Sequence, residues 1–167
     1  MVIVDANVLI YAVDEASAHH EASRLWLDGC LGGTEAVGFA WQVLVALIRL
    51  VTSRSIFTLP LSVDEAADQV DWWLGAPAAV IVNPTPRHAI LLRGMLTETG
   101  TGGNLTTDAH LAALALEHRA DIVSFDRDFG RFPGLRHQLP RLSRRRAAPG
   151  TNRQSFPAKR AASVTSL

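Results

Sequence analysis

The sequence has a single cysteine, Cys30, among its 167 residues, so it forms no internal disulfide bond. Because disulfides are rare in reducing compartments, one cysteine is compatible with a cytoplasmic protein. No basic segment followed by an apolar run precedes the first predicted strand. No apolar run approaches the roughly 20 residues that a membrane-spanning helix needs. We therefore expect a soluble, unexported, cytoplasmic protein that does not bind membranes.

Acidic residues are absent from the C-terminal end of the chain. Residues 1–140 hold all 16 acidic residues and nine of the 16 Lys and Arg residues, which gives that part a formal charge of −7 (9 − 16). Residues 141–167 hold the other seven basic residues (16 − 9). Basic tails contact nucleic acid by neutralising phosphates, and tails of this composition also occur as disordered segments. We predict one domain over residues 1–140 and a basic, disordered tail over residues 141–167.

Short apolar strands alternate with helical segments along the predicted domain. One helix starts at Ser62 with Glu65 three residues later, the spacing of a capping box. Short apolar strands that alternate with helices are typical of a parallel sheet covered on both faces, so the sequence predicts a single-domain α/β fold. Strands are predicted at 2–4, 35–39, 79–82, 121–125 and 135–139, and helices at 19–31, 41–51, 62–74, 87–98 and 107–118.

Two of the predicted strands run directly into an aspartate. The first strand ends at Asp5 and the fourth ends at Asp126. Ligands bind beyond the carboxyl ends of the strands in open parallel sheets, so both carboxylates face one site if their strands are neighbours. A third aspartate, Asp108, stands just inside the start of a predicted helix. Each of them also fits a simpler role, either as a turn former or as a favourable charge at a helix start.

Taken together, the three aspartates form a candidate site for a hard divalent cation. Clustered carboxylates repel one another unless a cation or a proton lies between them. No histidine stands at a zinc-type spacing from these aspartates, and several oxygen ligands select Mg²⁺ or Mn²⁺ over Zn²⁺. A cation held in this way activates water and binds a phosphodiester oxygen. The residues alone are therefore compatible with a nuclease or with a phosphatase.

Three sequence segments resemble the motifs of the PIN-domain family. They occur in order between residue 2 and about residue 140, and together they are specific, whereas any one alone is weak. Within the family, the length and the motifs look most like the VapC-type toxins of bacterial toxin–antitoxin pairs. The segments are VIVDANVLIYA from Val2, NLTTDAHLAALA from Asn104, and SFDRDF from Ser124 followed by FPGL from Phe132.

The resemblance implies a Rossmann-like parallel sheet flanked by helices and the cleavage of RNA with Mg²⁺ or Mn²⁺. It also implies a homodimer and a small cognate antitoxin of the VapB type. Carried over by position, Asp5, Asp108 and Asp126 are the catalytic and metal-binding acidic residues. Three secondary residues lie near the site by the same resemblance: Asp128, Asn7 and Ser124.

One position departs from the family pattern. The family commonly places a glutamate in the second predicted helix, and Ala46 occupies that position here. No acidic residue lies between Phe39 and Pro60. We therefore expect weaker metal affinity, or a single bound ion, with Asp128 or a substrate phosphate completing the coordination shell.

Two other functions stay open at this stage. An aspartyl-phosphate phosphatase or phosphotransferase also has an aspartate after its first strand. That chemistry usually needs a second acid two residues on, where this chain has Asn7, whose amide cannot exchange protons in that way. A non-catalytic PIN-like binding module would account for the missing glutamate. His110, two residues beyond Asp108, faces a different side of its helix and is predicted at the surface.

Overall fold

The computed structural model describes residues 1–100, 103 and 105–141. The predicted tail from residue 142 onward lies outside the described residues, as do residues 101, 102 and 104 of the glycine-rich segment. The described strands are β1 (Val2–Val4), β2 (Val37–Ala40), β3 (Ala79–Val82), β4 (Asp121–Val123) and β5 (His137–Gln138). They form one parallel sheet in the order β3-β2-β1-β4-β5.

Helices cover this sheet and connect its strands. Helix α1 packs against α2 and α3, and α3 packs against α4; α5 packs against α6, which contacts β4. None of the described helices is both long and apolar enough to cross a membrane. The described helices are α1 (Ala6–Val13), α2 (His20–Leu31), α3 (Trp41–Val51), α4 (Val63–Leu74), α5 (His88–Thr99) and α6 (Leu105–His118).

The centre of the sheet is buried on both faces. Every residue of β1 and β2 is buried, which explains why these strands are continuous apolar runs in the sequence. At one edge of the sheet, β3 leaves Val80 and Ile81 exposed. The predicted α/β fold with a parallel sheet flanked by helices is thus confirmed.

Helix α1 is missing from the sequence prediction, which placed no helix between Asp5 and His19. The eight residues ANVLIYAV are apolar on almost every side, so they lack the alternation of polar and apolar faces that reveals an amphipathic helix. The helix begins after Asp5, whose side chain accepts a hydrogen bond from the backbone N–H of Ala6. Asp5 is therefore the N-cap residue of α1.

Several predicted boundaries also shift. Strand β4 ends at Val123, so Ser124 and Phe125 follow the strand and do not belong to it. Helix α6 begins at Leu105, which places Asp108 in its first turn. The capping box of α4 is present as predicted, because Ser62 and Glu65 exchange hydrogen bonds between side chain and backbone.

The order of the strands creates one crevice. From β1 the chain continues to β2 and β3 on one side of the sheet, and it returns to β4 on the other side of β1. Such a switch in direction opens a ligand-binding crevice beyond the carboxyl ends of the two strands. Val4 of β1 pairs with Val123 of β4, so the residues that follow these strands meet at this edge.

Candidate functional site

Two hydrogen bonds fix the carboxylate of Asp5 at the end of β1. Its Oδ1 accepts the Ala6 N–H at 2.6 Å, and its Oδ2 accepts the hydroxyl proton of Ser124 at 2.7 Å. The backbone N–H of Asp5 donates to the carbonyl oxygen of Val123 at 3.0 Å. Asp5 is therefore both a helix cap and a carboxylate held at the carboxyl edge of the sheet.

Ser124 is buried and uses all the hydrogen-bonding capacity of its hydroxyl group. Besides donating to Asp5, its oxygen accepts from Asn7 Nδ2 at 2.9 Å and from the Asp126 N–H at 2.9 Å. A hydroxyl offers one donor and two acceptor positions, so none is left for a ligand. The amide oxygen of Asn7 in turn accepts the Phe125 N–H at 3.2 Å. Ser124, itself held by Asn7, thus positions Asp5 and Asp126.

The loop after β4 carries the two exposed aspartates of the site. Asp126 Oδ1 accepts the backbone N–H of Asp128 at 2.8 Å and so caps the short 3₁₀ helix Arg127–Arg131. The Asp128 side chain is exposed, and its Oδ1 lies 3.8 Å from Arg131 Nη1. An exposed ion pair at this distance contributes little to stability, so Asp128 remains accessible at the edge of the site.

The four aspartates are close enough to act on one another electrostatically. Burial, followed by the negative charges of Asp5, Asp126 and Asp128, raises the pKa of Asp108 from its ordinary value of 3.8 to about 6. Burial also raises the pKa of Asp5, although the hydrogen bonds from Ser124 and Ala6 oppose it. Burial and, for Asp108, the neighbouring carboxylates therefore disfavour the charged forms of these side chains, which a bound cation would favour.

The donor atoms of this edge fit a hard divalent cation in their chemistry. Asp5, Asp108 and Asp126 offer carboxylate oxygens, which Mg²⁺ and Mn²⁺ prefer. Within residues 1–100, 103 and 105–141, no three Asp, Glu, His or Cys side chains already form a compact cluster of ligands. Carboxylates repel one another unless a cation or a proton lies between them. The assignment of these three aspartates as metal ligands stays a prediction.

Helix α3 contributes a neutral face to the site. Gln42 Nε2 donates to the carbonyl oxygen of Thr107 at 3.1 Å, directly before Asp108. Residues four apart lie on the same face of a helix, so Ala46 follows Gln42 on the face of α3 that contacts the start of α6. This contact puts Ala46, where the resemblance to the family predicts a glutamate, on the side of α3 that faces the start of α6.

Two histidines, His137 and His110, lie in positions that the sequence did not predict. His137, which the sequence analysis missed, lies in β5 with its Nε2 2.9 Å from the carbonyl oxygen of Ser124. Its only signal is its register beside Ile122, which becomes visible once the strand order is known. His110 is half-buried and not at the surface: its Nδ1 lies 2.7 Å from His88 Nε2. The prediction for His110 is wrong because α5 covers that side of α6.

The side chain of Glu117 completes a buried network with these histidines. Glu117 Oε2 lies 2.8 Å from His88 Nδ1, and its side chain is 1% exposed. Burial would raise the pKa of Glu117, but hydrogen bonds from Thr85 and His88 outweigh it and lower that pKa. Burial, together with the charge of His88, lowers the pKa of His110. The network joins α5 to α6 and so supports the helix that carries the third aspartate.

Comparison with known proteins agrees with this fold. A family model described as PIN domain matches residues 2–135. Ribonuclease VapC37 of Mycobacterium tuberculosis is 59% identical over 140 residues, which cover 84% of this chain and 97% of that protein. Ribonuclease VapC43 of the same species is 41% identical over 140 residues, which cover 84% of this chain and 95% of that protein.

A solved structure of VapBC2 from Rickettsia felis, bound to a DNA fragment from their promoter, has the same fold. It superposes with a TM-score of 0.63 at 19% identity, over 83% of this chain and 98% of that chain. The chain therefore belongs to the PIN domain family and, within it, to the VapC ribonucleases. This membership removes the phosphatase alternative, as does Asn7, whose amide is held by Ser124 and Phe125.

Proposed function

We propose that this protein is a metal-dependent endoribonuclease that acts in the cytoplasm as the toxin of a type II toxin–antitoxin pair. One observation carries the site assignment. Asp5, Asp108 and Asp126 come from three separate elements to one edge of the sheet, and there the charges of the other acids help to raise the pKa of Asp108. A carboxylate whose pKa is shifted by burial and by neighbouring charges is typical of a functional site.

In this proposal the three aspartates hold Mg²⁺, for which Mn²⁺ substitutes. The bound cation supplies the activation of water and the binding of a phosphodiester oxygen. Ser124 and the Ala6 N–H keep the Asp5 carboxylate oriented, since they bind its two oxygens. Asp128, exposed at the same edge, is a secondary acid that compensates in part for Ala46.

Two kinds of protein partner belong to the proposal. We infer a small cognate antitoxin of the VapB type, because the chain is similar to the VapC chains of structures such as VapBC2. We also infer a homodimer. The exposed apolar side chains Val80 and Ile81 on the edge strand β3 support it, since exposed edges of this kind are usually covered. Light scattering of the purified protein tests the dimer.

Cleavage of purified total RNA tests the proposed activity. We expect the protein to cut RNA in the presence of Mg²⁺ or Mn²⁺ and to stop when a chelator is added. Asp5→Asn should lower the cleavage rate by at least about 100-fold, because it removes a ligand of the cation. Asp68→Asn, an exposed aspartate in α4, is the matched control and should keep the wild-type rate.

Two outcomes would contradict parts of the proposal. Metal-dependent cleavage that survives in Asp5→Asn would show that the site lies elsewhere. RNA binding without cleavage under Mg²⁺ and Mn²⁺ would instead identify a non-catalytic binding module.

A further inference from the structure

Three aromatic side chains lie against one another next to the acidic residues; we call Tyr11, His19 and Phe125 the aromatic cluster. The ring centroids of His19 and Phe125 are 4.2 Å apart, with ring planes inclined by 30°. Tyr11 meets Phe125 edge-on at 5.4 Å and lies 5.2 Å from His19. His19 is exposed, and the other two rings are half-buried. The rings of His19 and Phe125 are therefore in tilted contact, and His19 is the more exposed of the two.

The aromatic cluster is joined to the acidic edge by the backbone and by α1. Phe125 lies between Ser124 and Asp126, so its Cα atom is about 3.8 Å from those of both neighbours. Its backbone N–H donates to Asn7 at 3.2 Å. Tyr11 follows Asn7 by four residues in α1, on the same face of that helix. The aromatic cluster therefore begins one residue from Asp126.

The loop that carries His19 is held together without the imidazole ring. Backbone N–H groups of Ser17 and His20 donate to the carbonyl oxygens of Asp14 and Ser17, both at 3.0 Å. The His19 N–H donates to Ser17 Oγ at 3.1 Å. Within the described part of the chain, no hydrogen bond engages the ring nitrogens of His19. The ring of His20, by contrast, is bound to the Tyr11 carbonyl oxygen at 3.0 Å.

His19 is the exposed member of the aromatic cluster and offers its surface to a ligand. Phe125 and Tyr11 both lie against the His19 imidazole, with ring centroids at 4.2 and 5.2 Å, and His19 is nevertheless an exposed residue. Aromatic rings in this arrangement stack well on a further planar ring. The surface of one exposed imidazole suits a single base, whereas a stable protein partner buries a far larger area.

We propose that the aromatic cluster is a nucleobase subsite, in which one base of the RNA substrate stacks on the exposed face of His19. The proposal rests on the proposed ribonuclease function. It assigns an aromatic surface to the base next to a phosphate bound at the acidic edge. Stacking tolerates any base, because every base has a π-face. His19 and Phe125 are accordingly substrate-binding residues that leave the chemistry to the aspartates.

Steady-state cleavage of a short RNA spanning a mapped cleavage site separates stacking from other roles. His19→Ala should raise KM by about 5- to 100-fold, the usual effect of losing one stacked base, with a smaller change in kcat. His19→Phe restores a π-face without an imidazole and should return KM to within about threefold of the wild-type value. Phe125→Leu keeps apolar volume but loses the stack, so KM should rise as well.

His20→Ala is the matched control, because that ring contacts α1 through the Tyr11 carbonyl oxygen and does not belong to the stack. We expect its KM to stay at the wild-type value. A KM that is unchanged in His19→Ala, or raised equally in His19→Ala and His19→Phe, would overturn the subsite. An equal rise of KM in His20→Ala would also overturn it, because the effect would then come from a changed loop conformation and not from the His19 ring.

A binding measurement without cleavage supplies a second readout. The same RNA with 2-aminopurine beside the cleavage site is mixed with the protein in the presence of a chelator. Stacking quenches the fluorescence of this base, so the wild type and His19→Phe should quench it and His19→Ala should not. If His19→Ala alters antitoxin binding but neither RNA measurement, the surface belongs to a protein partner and the proposal is wrong. If the wild type cleaves no RNA at all, the proposed function fails instead.

Discussion

The hydroxyl group of Ser124 donates a 2.7 Å hydrogen bond to the carboxylate of Asp5, although 119 positions separate the two residues in the chain. The bond forms because β1 and β4 are adjacent and in register, with Val4 opposite Val123. It ties the loop after one strand to the loop after the other. The site is therefore rigid where its two halves meet, and its geometry depends on the pairing of these strands.

Replacement of this hydroxyl should disturb both folding and metal binding. In Ser124→Ala, Asn7 and the Asp126 N–H lose their shared acceptor, and Asp5 loses a donor. We expect the free energy of unfolding to fall by about 1–3 kcal/mol, the cost of leaving buried polar groups without partners. The affinity for Mn²⁺ should fall as well. Urea denaturation and calorimetry measure the two effects.

Ser23→Ala is the control for this substitution, since Ser23 is also fully buried. Its hydroxyl oxygen has no hydrogen-bond partner in the described part of the chain. Its removal should leave stability unchanged or raise it, because a buried unpaired hydroxyl is unfavourable. Equal destabilisation in both variants would mean that the bonds of Ser124 carry no special weight.

The raised pKa of Asp108 predicts a pH dependence of the metal-free protein. Burial and the neighbouring charges raise this pKa from 3.8 to about 6, so the folded state binds a proton more tightly than the unfolded state. The contribution of Asp108 to stability is therefore favourable at low pH and is lost as the pH rises through about 4 to 6. In a chelator, Asp108→Asn should melt at a higher temperature than the wild type near neutral pH.

The same shift predicts competition between protons and the cation. Because a carboxylate must be deprotonated to bind a metal, Mg²⁺ affinity should decline as the pH falls below about 6. Melting curves over this pH range, with chelator and with Mg²⁺, measure both effects. If the difference in melting temperature between wild type and Asp108→Asn is the same at all pH values, Asp108 does not have the environment described.

Restoring the missing acid should strengthen the site. Ala46→Glu adds a carboxylate on the face of α3 where Gln42 contacts Thr107, beside Asp108. We expect Mg²⁺ to bind about tenfold more tightly, since affinity rises with the charge of the ligand set. Val45→Glu, at an exposed neighbouring position on another face of α3, is the control and should leave affinity unchanged. Unchanged binding in Ala46→Glu would refute the alignment of α3.

Features that depend on neighbouring residues could be predicted from the sequence, whereas contacts between residues far apart in the chain could not. Asp5 directly follows β1 and Asp126 lies three residues after β4, so their position at a sheet edge could be predicted from the apolar runs before them. The contact of Ser124 with Asn7 could not, because it depends on the order of the strands. Helix α1 escaped prediction because its residues are apolar on nearly every face. The burial of His110 could not be predicted because its partner, His88, lies on a different helix.

Gly38 provides a test of the sheet itself. A Cβ atom at this position in β2 would lie 2.9 Å from Ile3 Cγ1 and 3.0 Å from Val82 Cγ1. Gly38→Ala should therefore lower the free energy of unfolding by about 1–3 kcal/mol through overpacking. Gly94→Ala, where nothing lies within 4 Å of the added atom in α5, should raise it by about 0.5–1 kcal/mol. Chemical denaturation would contradict this packing if both variants changed stability alike.

Calorimetric titration of Mn²⁺ into the metal-free protein at about pH 7.5 tests the shared cation site most directly. The wild type should bind the ion, and Asp5→Asn, Asp108→Asn and Asp126→Asn should each weaken binding by at least about 100-fold, while Asp68→Asn binds like the wild type. If each of the three site variants takes up Mn²⁺ with wild-type affinity, the three aspartates do not hold one cation and the account of the site is wrong.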